Sequence, residues 1–212
     1  MDRTRRIIAA LILAVVATSC ASAGTTGETP AVPGRYQVVG SFRPKVDDAA
    51  EVIEVFSFES PYCFKLAQDL PDLLARYETR VRWVQVPVVS GDESPLAAKL
   101  FLIAQKYNKG QEVKRALFEA RHVKGENLGD PKVVGRIAGE HKIGDRFSAM
   151  IFSREINEEL DRDQQVVKTY RLIATPSAVV NRSLLVTPSI AGGSVELMRA
   201  DLAEILQSLV GW

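Results

Sequence analysis

The amino-acid sequence predicts an α/β fold into which a helical segment is inserted, and three observations lead to this prediction. Two short runs rich in β-branched and aromatic residues, 52–58 and 81–89, enclose a segment with helical periodicity. From 94 to 160 the recurring apolar pattern is helical throughout. Two more short strands and a helix follow, so the predicted order is strand, helix, strand, helical insertion, two strands and helix.

The first predicted strand, 52–58, is apolar along almost its whole length, which is typical of a central strand covered on both faces. Its single charge is Glu54. After Ser60 and Pro61, apolar residues recur at the spacing of a helix packed by one face. These residues are Leu66, Leu70, Leu73, Leu74 and Tyr77. The next strand, 81–89, should then run parallel to the first after a right-handed crossover.

The helical insertion and the strands after it are also predicted from periodicity. Its apolar positions are Leu96, Leu100, Ile103 and Tyr107, then Val113, Leu117 and Ala120, then Val133, Val134 and Ile137, then Ile143, Phe147, Met150 and Ile151. Two strands at 177–181 and 184–187 should form a tight hairpin through Arg182 and Ser183. The final helix carries Val195, Met198, Leu202, Ile205 and Leu209.

These elements divide the chain into segments. We assign 36–91 and 166–212 to the α/β domain and 92–165 to the helical insertion. Residues 24–35 are rich in Thr, Gly and Pro and offer little to bury, so they are predicted to be a tether.

Residues 1–23 are expected to be an export signal. Three arginines precede an apolar stretch at 7–17, which is shorter than the roughly 20 residues that span a bilayer. Two processing routes remain open at its end. One is cleavage before Gly24, and the other is lipidation of Cys20 in a sequence that resembles a bacterial lipobox. Both routes predict a periplasmic or cell-envelope protein, and lipidation of Cys20 is the only membrane contact expected.

The composition excludes several partners. Lys and Arg total 27 against 26 for Asp and Glu, and this near-neutral balance lacks the basic surface that nucleic-acid binding requires. Cys20, Cys63, His122 and His141 are not expected to form a closed zinc site, because Cys20 is removed or blocked with the leader, and both histidines are expected to be solvated. We therefore predict no metal and no cofactor.

The stretch 54–66 (EVFSFESPYCFKL) resembles the active-site sequence of the DsbA-like bacterial thiol:disulfide oxidoreductases, which have a thioredoxin fold. That family has an acidic residue in the strand, then Phe-Ser-Phe, then Cys-Pro-x-Cys at the start of a helix. Glu54 and Cys63 match this pattern, and Ser60 stands at the position of the first cysteine. A second match, 174–177, resembles the family's cis-proline loop. The resemblance implies a thioredoxin-like fold with an inserted helical subdomain.

The two positions of the Cys-x-x-Cys pattern differ here in what they can do. A serine hydroxyl does not ionise near neutral pH and cannot form an S–S bond, so Ser60 excludes an ordinary dithiol cycle. Ser60 is predicted to cap the helix with Pro61 as the first helical residue, and a serine nucleophile is the alternative. Cys63 is either a small apolar side chain packed under the helix or a lone thiol that forms mixed disulfides.

Glu54 lies in a strand that should be covered on both faces, so its carboxyl group needs a partner. The resemblance implies that it passes protons to the buried sulfur. The family's basic companion would fall near Gln85, so that ion pair is expected to be missing. The alternative is a polar residue satisfied by a backbone or side-chain partner.

The resemblance also implies where clients bind. Thr175 and Pro176 would present a backbone edge to an extended peptide, with Pro61 and Tyr62 beside it. A trans proline that starts a strand is the alternative at this loop.

The sequence leaves two candidate functions open. Whether the chain is an enzyme depends on which of the two is correct. The first is a thiol:disulfide interchange protein of the bacterial envelope with one thiol, in which Cys63 is the reactive sulfur and Glu54 its proton partner. The second is a non-catalytic peptide-binding or chaperone-like module on the same fold. Client proteins or extended peptides are the expected partners, and glutathione or a membrane redox protein are further candidates.

Overall fold

The computed structural model describes residues 32–40 and 49–211. The predicted leader at 1–23, with its Cys20, and the tether up to residue 31 lie outside this range. Within the described range no helix has both the length and the apolar character needed to cross a membrane.

A mixed five-stranded sheet forms the centre of the described residues, with the strands in the spatial order β1–β5–β4–β2–β3. The strands are β1 Gln37–Val38, β2 Ala50–Phe56, β3 Val81–Pro87, β4 Ser177–Val180 and β5 Leu184–Val186. Strand β2 pairs parallel with β3 and antiparallel with β4. It is buried along nearly its whole length, as its continuous apolar sequence predicts for a central strand.

The hairpin between β4 and β5 turns one residue earlier than predicted. Asn181 and Arg182 hold the positive φ angles, 45° and 58°, whereas the sequence analysis assigned the turn to Arg182 and Ser183. Asparagine tolerates this left-handed conformation, and the side-chain oxygen of Asn181 also accepts a 2.9 Å bond from the backbone N–H of Glu51. This hydrogen bond holds the turn against the central strand β2.

Seven α-helices occur in the described residues. They are α1 Pro61–Ala75, α2 Leu96–Lys106, α3 Gly110–His122, α4 Pro131–Glu140, α5 Gly144–Met150, α6 Arg154–Tyr170 and α7 Val195–Val210. Helices α1 and α7 share a core with one face of the sheet. Helix α6 crosses the predicted segment boundary at 165, and its last turns, with Val166 and Tyr170, pack against the opposite face.

The end of β2 enters the core of the helical insertion. Phe56 and Phe58 lie in one apolar cluster with residues of α2 to α6, and Cys63 belongs to the same cluster. The Phe56 ring meets the Phe101 ring edge-on at 5.4 Å, and the Phe58 ring lies 5.0 Å from the Phe118 ring. The junction between β2 and α1 is therefore held between the sheet and the inserted helices.

Candidate functional site

The start of α1 is built by Ser60 and Pro61. The backbone N–H of Cys63 donates a 3.3 Å hydrogen bond to Ser60 Oγ, and the backbone N–H of Phe64 donates to the Ser60 carbonyl at 3.1 Å. Helix α1 begins at Pro61. This geometry confirms the predicted N-cap, in which the serine oxygen satisfies an N–H group that the helix leaves unpaired.

The same hydroxyl links α1 to a distant loop. Ser60 Oγ donates a 3.4 Å hydrogen bond to the carbonyl oxygen of Thr175, and the Thr175–Pro176 peptide bond is cis, as the resemblance implies. Besides the Cys63 thiol, whose pKa burial raises, the groups bonded to this hydroxyl are the Cys63 N–H and the Thr175 carbonyl, which are backbone groups and cannot serve as a general base. The described residues therefore offer no general base to the serine-nucleophile alternative.

Cys63 is a free thiol that is fully buried, with no solvent exposure. Burial raises the pKa of the Cys63 thiol above its ordinary value, and the negative charge of Glu54 acts in the same direction. Hydrogen bonds with Ser60, the Ser57 backbone and Thr175 act in the opposite direction. Since burial is the largest of these effects, the sulfur in this conformation is a shielded, protonated thiol.

Glu54 points from β2 into the protein and meets a lysine that the sequence analysis missed. Lys114 Nζ, on α3, lies 2.9 Å from Glu54 Oε1 and 2.8 Å from Oε2, and both side chains are buried. The Trp83 Nε1–H and Gln85 Nε2–H groups donate to the same Oε2 at 3.0 and 3.1 Å. Four bonds therefore converge on this one carboxylate.

The ion pair corrects the expectation that Glu54 lacks a basic companion. Gln85 stands opposite Glu54 on β3, as predicted, but the cation comes from the inserted helix α3. Lys114 Nζ also lies 3.9 Å from the centre of the Phe56 ring, so an aromatic face covers it as well. The geometry is that of a satisfied buried carboxylate, the alternative left open for Glu54.

The C-terminal end of α3 contacts the loop before Ser60. His122 Nε2 lies 2.9 Å from the Phe58 carbonyl oxygen, and its ring stacks on Phe64 at 5.1 Å. Arg121 pairs with Glu59. The expectation that His122 is solvated is therefore wrong, because the helix aims it at the site. The spacing of Lys114, Phe118 and His122 at i, i+4 and i+8 places them on one face of α3, but the packing of α3 decides that this face is directed at the site.

The predicted client-binding residues differ in exposure. Pro61 is exposed and Tyr62 retains 55% of its surface, whereas Thr175 is half-buried and Pro176 is buried. Next to them, Ile173 is fully exposed, which is unusual for a large apolar side chain. A cavity of about 910 Å³ adjoins this loop and is lined on both sides of the cis peptide bond by Ile173, Ala174 and Ser177, together with β1 and the end of α6.

The described residues offer no group of three or more His, Cys, Asp or Glu side chains arranged to hold a metal ion. His141 lies 3.6 Å from Glu112 on the surface of the inserted helices.

Comparison with known proteins gives a family match and several relatives. Residues 51–198 match the family described as the DSBA-like thioredoxin domain. The thiol:disulfide interchange protein DsbA of Pseudomonas aeruginosa is 23% identical over 150 residues, which make up 70% of this chain and 71% of that protein. The protein of the same name from Pseudomonas syringae pv. tomato is 22% identical over 144 residues, or 68% of this chain and 67% of that protein.

Solved structures have the same fold. The oxidoreductase DsbA from Xylella fastidiosa aligns with a TM-score of 0.70 and 26% identity over 85% of this chain and 97% of that chain. The DsbA of Pseudomonas aeruginosa aligns with a TM-score of 0.70 and 19% identity over 82% of this chain and 92% of that chain. The predicted α/β fold with inserted helices is thereby confirmed.

Proposed function

Because the chain belongs to the family of DSBA-like thioredoxin domains, we propose that it binds extended client peptides or unfolded client proteins beside the Thr175–Pro176 loop, without cycling as a dithiol oxidase. The main observation that supports this proposal is the position of Ser60. Its hydroxyl stands where the family resemblance has the first cysteine, and it is bonded to the Cys63 N–H and the Thr175 carbonyl. A hydroxyl group there can neither attack a disulfide nor hold one.

The surface beside the loop supports the binding half of the proposal. Tyr62, two residues after Ser60, and Ile173, two residues before Thr175, both expose apolar area, and the cavity lined by Ile173 has room for side chains of an extended segment. Exposed aromatic and aliphatic groups beside a cavity are what an unfolded protein, with its own apolar residues exposed, would bury on binding.

Exchange through one thiol is the second candidate function, and the hydrogen bonds that Ser60 and Thr175 make to the sulfur favour it. In that reaction the Cys63 thiolate attacks a client or glutathione disulfide, one S–S bond breaks, a mixed disulfide forms and one thiolate leaves. Release requires a second thiol from the client or glutathione. Glu54 would accept the proton of Cys63 in this function.

The compartment belongs to the proposal as well. Residues 1–23 would direct the chain out of the cytoplasm to the periplasm or cell envelope, and Cys20 would carry a lipid anchor. The mass of the purified mature protein tests both points. A start at Cys20 with added acyl mass supports the anchor, a start at Gly24 supports simple cleavage, and an intact leader contradicts export.

Client binding is tested with reduced, carboxymethylated α-lactalbumin, an unfolded protein that has no free thiol. Ile173→Ser should weaken its binding about tenfold, since burying one isoleucine contributes about 1.5 kcal/mol or more. Phe152→Ser is the matched control, because Phe152 is 83% exposed and lies in the helical insertion between α5 and α6. Equal affinities of the two variants, measured by calorimetry, would overturn the proposed binding surface.

The chemical half is tested by the alkylation rate of Cys63 as a function of pH. The chain that begins at Gly24 has Cys63 as its one remaining cysteine, so every alkylated product reports this thiol. Protection at all pH values until the protein unfolds supports binding without thiol chemistry. Fast alkylation with an apparent pKa well below about 8.5 supports exchange through one thiol instead.

A further inference from the structure

A cavity of about 530 Å³ lies between α1 and α3, apart from the cis-proline loop. Its apolar wall includes Phe64 and Leu70 from α1, Phe118 from α3 and Val123, which follows α3 and is 69% exposed. Cavities that hold small organic ligands have volumes of about 300–1,000 Å³ and mostly apolar linings. The size and the lining of this cavity therefore suit a small molecule with an apolar body.

Two cations at the rim of this cavity have no acidic partner in the part of the chain that the structure describes. Arg115 and Lys124 are exposed lining residues, and among the described residues neither lies within ion-pair distance of a carboxylate. Nearby cations on α3 and α4, by contrast, are paired: Arg121 contacts Glu59, and Arg136 contacts Glu126 and Glu140.

The remaining charges around the cavity do not cancel these two cations. Glu119 is the one acidic residue among the described residues of the lining. Lys114 lies in the wall but is nearly fully buried, and its ammonium group forms an ion pair with Glu54. The pKa of Glu140 is lowered mainly by its bond to Arg136, and Lys124 contributes only from farther away. The cavity therefore combines an apolar wall with a net positive rim.

We propose that this cavity binds a small amphipathic anion, with a carboxylate or sulfonate head held by Arg115 and Lys124 and an alkyl or aryl body packed against Phe64, Phe118 and Val123. The charge of the rim selects the head and the apolar wall selects the body. This site is separate from the proposed client surface, so it can exist whether or not the chain binds client proteins.

The test uses anilinonaphthalene sulfonate as a fluorescent probe and decanoate as its competitor, on the folded chain that begins at Gly24. We expect micromolar binding of the probe, displacement by decanoate and weaker displacement by decanol, which lacks the charge. The double variant Arg115→Ala, Lys124→Ala should weaken binding about tenfold, because it removes both cationic contacts to the head group of the anion.

Two further variants locate the site. The double variant Lys132→Ala, Lys168→Ala removes the same charge from exposed positions outside the cavity lining and should leave affinity within twofold. Ala67→Trp puts a large side chain into the lining and should abolish binding, and an unchanged unfolding midpoint would show that the variant is folded. Equal weakening by the two double variants, or full binding by Ala67→Trp, would overturn the proposal.

A last comparison distinguishes a free small anion from an anionic membrane surface as the ligand of this cavity. Sedimentation with phosphatidylglycerol vesicles measures attraction to an anionic membrane surface. Probe binding that decanoate displaces, without sedimentation, supports a site for a free small anion. Sedimentation that depends on Arg115 and Lys124, without decanoate binding, would overturn the proposal in favour of a membrane surface.

Discussion

The carboxylate of Glu54 and the ammonium of Lys114, 60 positions apart in the sequence, meet at 2.8 and 2.9 Å inside the protein. One belongs to the central strand of the sheet and the other to an inserted helix, so a charge pair joins the two parts of the fold beside the Phe56 ring. Removing either partner would leave the other charge buried alone, a far larger cost than losing a surface ion pair.

Lys114→Met should therefore lower the free energy of unfolding by about 3–5 kcal/mol, because it leaves the Glu54 carboxylate without its cation. Adding Glu54→Gln should restore part of this loss, since the neutral amide still offers an oxygen to Trp83 and Gln85. Urea titrations followed by circular dichroism measure both values. A double variant less stable than Lys114→Met alone would contradict the ion pair's role.

Cys63 predicts a loss of stability in alkaline solution. Its pKa is raised in the folded protein, chiefly by burial, so above the ordinary value of 9.0 the unfolded chain loses this proton before the folded one does. The stabilisation is complete below pH 9 and is lost as the pH rises toward the folded pKa. We expect the parent protein to lose stability relative to Cys63→Ala between about pH 9 and 11. A difference that does not change across this range would contradict the raised pKa.

Asp163 is a position at which we expect a substitution to stabilise the protein. Burial, and then the charge of Glu159, raise the pKa of Asp163 to about 7, and its Oδ2 atom has no hydrogen-bond partner among the described residues. The stabilisation from the protonated form is complete below pH 3.8 and is lost as the pH rises through about 7. Asp163→Asn should therefore be more stable than the parent by about 1–2 kcal/mol at pH 8. Urea titrations should find this gain smaller at pH 5, and an equal or larger gain there would contradict the assignment.

Ser60→Cys should restore a dithiol site. The new sulfur would lie at the start of α1, where the unpaired N–H groups and the helix dipole favour a thiolate, and one turn before Cys63. With oxidised glutathione present, we expect an internal disulfide, seen as the loss of two hydrogen masses and of both free thiols. Phe152→Cys is the control, because Phe152 is 83% exposed whereas Cys63 is fully buried, so the introduced thiol should form only a mixed disulfide with glutathione. Two free thiols in oxidised Ser60→Cys would show that the site no longer supports the reaction.

Local sequence was enough to predict the start of α1 and the order of the elements. Serine followed by proline is typical of a helix start whatever the rest of the fold, and Ser60 caps α1 as that pattern predicts. The continuous apolar run of β2 likewise predicted a central strand. Both follow from interactions between near neighbours in the chain or from burial of a whole segment.

The partners of Glu54 and of the loop at 57–60 could not be predicted in the same way. Lys114 lies on an amphipathic helix, where a lysine is ordinarily at the surface, and its burial depends on a carboxylate in another element. The contact of His122 with the Phe58 carbonyl likewise depends on how α3 packs against β2 and α1. Such contacts are set by the packing of distant elements, which periodicity does not encode.

The position of Cys63 along the chain determines when its thiol becomes covered during synthesis. The sulfur lies in the first third of the sequence, whereas Thr175, which bonds to it, and β4, which pairs with β2, lie near the end. When a chain emerges N-terminus first, β2, α1 and β3 are present before β4 exists. During that interval β2 has an open edge and the sulfur lacks one of its covers. The Cys63 thiol is therefore more accessible to oxidants in the incomplete chain than in the folded protein.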